Sequence, residues 1–184
     1  MTKSMTFYVD SFAHDDVTPI SAPRRAAFRT GLYLSHFKGL PKLDLRVEAA
    51  STDSRVSRSY KGTFYYFEGI QVQGYTNKGY IFGDPIGREG KGGQAWLTYH
   101  LSGNESVQLE YLNKKNDNDF IANGTTQNQF KATVVKRFLH DNVELNAWFQ
   151  YEKWKAPIYR PGAQNDTTTA VQVTFFPGLK TKAN

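Results

Sequence analysis

Residues 52–92 collect the side chains of this sequence best suited to chemistry. The run GTFYYFEGIQVQGYTNKGYIF places Tyr65, Tyr66, Tyr75 and Tyr80 beside Phe64, Phe67 and Phe82, and around it stand Arg55, Arg58, Lys61, Lys78, Arg88 and Lys91. Aromatic rings offer flat faces to the C–H faces of sugars, and a planar guanidinium or an ammonium answers an acidic sugar or a phosphate. Single-stranded nucleic acid would use the same stacking logic. The rings would serve equally to pack a folded cap or a short hairpin, because a connection of about 40 residues needs an apolar cluster of its own.

Other motifs carry less. GYIFGDPIGREGKGGQ, 79–94, has the composition of a phosphate cradle, but Gly92 follows Lys91 where a P-loop needs Ser or Thr, and no βαβ pattern surrounds it. Its glycines read as places where the backbone turns back into a strand. His14, His36, His100 and His140 are scattered without metal-ligand spacing, and there is no cysteine. Asp15 and Asp16 could bind a cation or act as paired carboxylates, yet they also suit a solvated turn before Pro19. No catalytic set, cofactor site or metal site is expected, and the chain reads as a non-enzyme.

The elements that must position these groups are strands. Alternation of period two recurs across the chain. In KLDLRVEAA, Leu43, Leu45, Val47 and Ala49 oppose Lys42, Asp44, Arg46 and Glu48; in VELNAWFQYEKW, Val143, Leu145, Ala147, Phe149 and Tyr151 oppose Glu144, Asn146, Gln150 and Glu152. Eight strands are expected near 5–13, 26–37, 42–51, 93–101, 106–115, 127–139, 143–155 and 167–176, forming an antiparallel up-and-down meander. Most have nine or more residues, the length a tilted strand needs to cross a bilayer, whereas sandwich strands are nearer five or six. Long and short connections alternate, as in outer-membrane barrels. The long ones fall at 13–25, 52–92, 116–126 and 156–166. In that reading the polar faces line a lumen. Lys131, Arg137, Lys153 and Arg46 would pair there with Asp44, Glu48, Glu110, Glu144 and Glu152, His100 would join them, and Phe175–Phe176 would end at the inner aromatic girdle.

The chain has 184 residues, formal charge +6, eleven Tyr and thirteen Phe. Its mean hydropathy is −0.58, and no apolar run reaches the length of a membrane helix. Alternating strands average to such a polar value even in a membrane barrel.

Three blocks carry a resemblance: APRRAAFRTGLYLSHFKGLPKLDLRVEAASTD, YTNKGYIFGDPIGREGKGGQAWLTYHLSGNE and WKAPIYRPGAQNDTTTAVQVTFFP. In this order they resemble the C-terminal region of the capsule assembly Wzi family, over about 6–177. The resemblance implies an all-β arc of a larger transmembrane barrel, with 1–184 as one segment. It implies non-catalytic holding of capsular or other surface polysaccharide, contact with outer-membrane lipid and lipopolysaccharide, and a monomeric barrel without nucleic acid. The candidate glycan contacts are then Tyr65, Tyr66, Tyr75, Tyr80, Arg88 and Lys91. The chain is shorter than the family's barrel and opens without an export signal, so it reads as a C-terminal piece of an outer-membrane protein. A porin-like channel and a soluble β-sandwich carbohydrate-binding module are the rival readings.

Overall fold

The computed structural model describes residues 4–13, 26–53, 76–77, 80–81, 84–118 and 121–177. In chain order the strands are β1 (Met5–Ala13), β2 (Ala26–Leu34), β3 (Leu43–Ser51), β4 (Thr76–Asn77), β5 (Tyr80–Ile81), β6 (Gly90–Ser102), β7 (Glu105–Asn116), β8 (Thr125–Phe138), β9 (Val143–Lys155) and β10 (Gln164–Phe175). The eight long strands form one antiparallel sheet in the order β1-β2-β3-β6-β7-β8-β9-β10, and β4 pairs only with β5. This is the expected meander, and the described residues include no helix. The sheet is open, with β1 and β10 at its edges.

β2 ends earlier than expected. The Ser35 amide donates to the Ser4 carbonyl at 2.9 Å, and a Phe37–Leu40 bridge then closes the turn around Gly39, whose φ is 85°. β6 through β8 and β10 run longer than expected, so two of the long connections shorten to 117–124 and 156–163.

Directly opposed residues of an antiparallel pair share a face, so the register carries whole rows across the sheet. On one face run Phe7–Leu32–Val47–Ala95–Tyr111–Phe130–Tyr151 and, next to it, Leu45–Leu97–Leu109–Ala132–Phe149. Leu43–Tyr99–Val107–Val134–Ala147–Val171 and Phe138–Val143–Phe175 follow toward the short-turn end. The other face carries Tyr33–Arg46–Trp96–Glu110–Lys131–Gln150 and Asp44–Thr98–Gln108–Thr133–Trp148.

Burial is inverted relative to a water-soluble protein. Glu48 is 4% exposed and Asp44 8%, whereas Val171 is 65% exposed and Phe175 71%. Among the described residues no second sheet lies over the apolar rows. A sandwich would bury those rows between stacked sheets, so the soluble-module reading has no support in the fold.

One expectation is corrected. Lys153 stands opposite Asn128 and Asn165, on the same face as Tyr151, and so lies on the apolar face rather than among the lumen charges. Successive strand residues alternate faces, and Lys153 follows Tyr151 by two.

Candidate functional site

The described end of the long 52–92 connection is a turn tied down from three strands. Asp84 accepts a fork from Arg29 of β2, with Nε to Oδ2 at 2.7 Å and Nη2 to Oδ1 at 2.9 Å, and it caps the Ile86 amide at 2.8 Å. Thr52, just past β3, donates its hydroxyl to the Gly87 carbonyl at 2.6 Å and accepts from the Gly90 amide at 3.0 Å. From β7, Lys114 Nζ donates to the Pro85 carbonyl at 3.0 Å and Asn116 Nδ2 to the Arg88 carbonyl at 2.9 Å. Gly87 adopts φ 79°. Gly92 is needed for a different reason: a Cβ there would meet the Asn113 carbonyl oxygen and lie 2.9 Å from Lys114 Cα on the neighbouring strand. The described glycines of this stretch therefore serve backbone geometry.

Burial alone would raise the Asp84 carboxyl, but the Arg29 hydrogen bonds, the Ile86 amide and the charges of Arg29 and Lys114 outweigh it and hold it below the ordinary carboxylate range. A depressed folded pKa stabilises above the unfolded value, near 3.9, and the contribution is lost as pH falls through the folded value. The Ile86 amide should therefore remain protected from hydrogen exchange at pH 5 and lose protection only below about pH 4. Loss of protection near pH 6 would contradict the clamp.

Beneath this turn the polar face is a connected charge network. Glu48 is its hub, accepting from the Tyr8 hydroxyl and pairing with both Arg29 and Arg46. Tyr8 lies across Gly31, its cross-strand partner, where no side chain could fit under the ring. Farther along, Lys131 faces Glu110 at 3.9 Å, Arg137 pairs with Glu144 at 2.9 Å and His100 Nε2 reaches Asp44 at 2.6 Å. The mixed-charge wall expected from sequence is present. Between turn and wall lies a cavity of 330 Å³ lined by Arg29, Glu48, Asp84, Gln94, Lys114 and Gln129, among others.

All three tryptophans of the chain belong to this face. Trp96 shares a row with Arg46 and Glu110, Trp148 with Thr133, and Trp154 with Gln127. The Arg46 guanidinium lies 5.0 Å from the Trp96 ring centroid and the Lys131 ammonium 5.2 Å from that of Trp148, both within cation–π range. Beside Trp148, Thr133 Oγ1 and Asn146 Oδ1 are buried without a hydrogen-bond partner among the described residues. Sequence reading missed these rings although the alternation carried them: Trp148 stands between Asn146 and Gln150, and Trp154 follows Glu152 by two.

Of the residues singled out in the sequence, Tyr65, Tyr66, Tyr75, Asp15 and Asp16 lie outside the described residues. Tyr80 is placed by its backbone, opposite Asn77 in β5. Arg88 pairs with Glu89 at 3.3 Å, and Lys91 with Asp53 at 2.6 Å. Lys91 opens onto the apolar-face side of β6, because it shares the register of Ser51 and Lys115.

The face that points away from the charge network is a continuous apolar surface, and its aromatic rows bound an aliphatic band. Tyr111, Phe130 and Tyr151 form one edge, Phe138 and Phe175 the other. The edges are eight residues apart on β9, which at about 3.4 Å per residue and about 40° of tilt is roughly 20 Å of depth. That matches the height of the lipid-facing band of outer-membrane barrels, about 25 Å. The sheet is an arc of a transmembrane β-barrel wall, with its charged face turned to the lumen.

The family model for capsule assembly protein Wzi matches residues 1–169, and the chain belongs to that family. No curated protein and no solved structure matches it.

Proposed function

We propose that the protein holds surface polysaccharide at the bacterial outer membrane as a monomeric barrel, without altering the polymer chemically. The observation that carries this reading is the placement of Trp96, Trp148 and Trp154 on the lumen face. In membrane barrels, tryptophan ordinarily serves the lipid-facing belts at the interfaces. Here those belts are built from Tyr and Phe, and the broadest rings are kept where a hydrated polymer can reach them. Two lie beside cations, which suits an acidic sugar whose carboxylate or phosphate takes the charge while its ring stacks.

The 52–92 connection is the second candidate for glycan contact. Tyr65, Tyr66, Tyr75 and Tyr80 supply stacking faces, and Arg88 and Lys91 supply charge. Family membership supports the capsule as the source of the glycan.

The test is glycan affinity of the protein extracted from outer membranes in mild detergent, titrated against salt. Exposed charge contacts are each worth about 1 kcal/mol or less and are screened. Arg88→Ala with Lys91→Ala should therefore weaken binding mainly at low ionic strength, and modestly, since both are already paired. Trp96→Ala, Trp148→Ala, Tyr66→Ala or Tyr80→Ala should weaken it at every salt concentration, by about 1–3 kcal/mol for a stacked ring. Undiminished affinity in all five variants, with wild-type heat-modifiable gel mobility, would overturn the reading.

A further inference from the structure

The apolar face has a charge asymmetry of which polysaccharide binding uses only Lys91. On the described strands its charged side chains number six. Lys91, Lys115, Lys153 and Lys155 stand at the end facing the long connections, and Glu105 and Lys136 at the opposite end, paired at 2.7 Å. The four lysines occupy two adjacent rows. Ser51–Lys91–Lys115–Thr126–Lys155 is the outermost, and Gly93–Asn113–Asn128–Lys153–Asn165 lies one step deeper. Next comes the belt of Tyr111, Phe130 and Tyr151. Both Tyr hydroxyls point toward the amide row, Tyr111 to Asn128 Oδ1 at 3.2 Å and Tyr151 to Asn165 Oδ1 at 3.0 Å. Along the strand the order is thus aliphatic, aromatic, amide, ammonium.

We propose that Lys115, Lys153 and Lys155 bind the phosphate groups of a phosphorylated acyl glycolipid of the outer leaflet, the lipid A part of lipopolysaccharide, whose acyl chains lie along the aliphatic rows. The inference rests on the apolar face meeting lipid. Lys115 and Lys155 flank Thr126 two strand spacings apart, about 10 Å between Cα atoms, so two extended side chains converge on one phosphate. Neither has an ion-pair partner among the described residues, whereas Lys91 is held by Asp53. The row opens on a cavity of 620 Å³ lined by Lys91, Lys115, Asn123, Thr126 and Lys155. Two carboxylates, Glu89 and Asp117, also line it, and Glu89 is paired with Arg88. Lysine is a flexible point charge with a long apolar stem, suited to reach up from a lipid-covered wall into the headgroup layer. Long connections mark the external end of such barrels, which is the leaflet where this glycolipid resides.

The experiment uses the protein in nanodiscs of neutral phospholipid doped with bisphosphorylated lipid A, dephosphorylated lipid A or neither, with bound lipid read by native mass spectrometry. Retention of the bisphosphorylated form alone is expected. Lys115→Gln with Lys153→Gln and Lys155→Gln should cut it by at least about tenfold, while the corresponding Lys→Arg changes retain it. The single Lys155→Gln change, the least able to disturb folding, should reduce it by roughly threefold. Equal retention of dephosphorylated lipid A, or no loss in the Gln variants, would overturn the proposal. So would displacement by inorganic phosphate, which marks a free-anion site. Equal lysine-dependent binding of heparin, a soluble polyanion, would also overturn it and assign the row to polysaccharide.

Discussion

Val134→Arg should remove the protein from the outer membrane, while Val135→Arg should leave its level near that of the wild type. The two valines are adjacent in β8 and identical in chemistry, and only the register separates them. Val134 stands opposite Val107 and Ala147, is 39% exposed and lies midway between the aromatic edges at Phe130 and Phe138. Val135 stands opposite Ser106 and Asn146, on the face of the charge network. An arginine at the lipid mid-plane of a barrel costs about 2–4 kcal/mol, whereas a lumen substitution alters the interior surface with little effect on insertion. Heat-modifiable mobility in outer-membrane fractions reads both outcomes. Equal loss in the two variants would mean that the faces are not divided between lipid and lumen.

Glu48→Ala should be the most damaging change on the polar face. Glu48 is nearly fully buried and holds Arg29, Arg46 and the Tyr8 hydroxyl together, so its removal leaves Arg46 beside Arg29 without its own carboxylate. Arg29 is 28% and Arg46 50% exposed, so the cost falls below the about 3–5 kcal/mol of breaking a fully buried pair. Arg29 keeps Asp84, so the rim turn should persist while the wall beneath it loosens. Glu48→Gln keeps an acceptor for Tyr8 and should lose less. Thermal unfolding in detergent checks this, and an unaltered midpoint for Glu48→Ala would show that the network contributes nothing to the wall.

The wall was legible in the sequence wherever residue type tracks face. KLDLRVEAA and VELNAWFQYEKW state their alternation outright, and the strands they predict are β3 and β9. Legibility failed where type and face part company. Trp148 is apolar in character but sits at a polar parity, so a search for apolar faces passes over it. Lys153 is charged but sits at an apolar parity, because a lysine near a barrel rim can extend beyond the lipid. In TVVK no residue property tells Val134 from Val135; cross-strand partners decide it. The Arg29–Asp84 clamp joins residues 55 apart, and nothing local to either announces the other. Gly92 was readable as a turning residue, yet its constraint is the approach of the Asn113 carbonyl from a neighbouring strand.

Polysaccharide holding is tested most directly by the fate of the polymer on cells. In a strain carrying Trp96→Ala, Trp148→Ala and Tyr66→Ala together, with folded barrel at the wild-type level, capsular polymer is measured separately in the cell-bound and medium fractions. The predicted result is an unchanged total with most of the polymer moved from cells to medium. An unchanged cell-bound fraction, or a fall in the total itself, would contradict a role in holding the polymer at the surface.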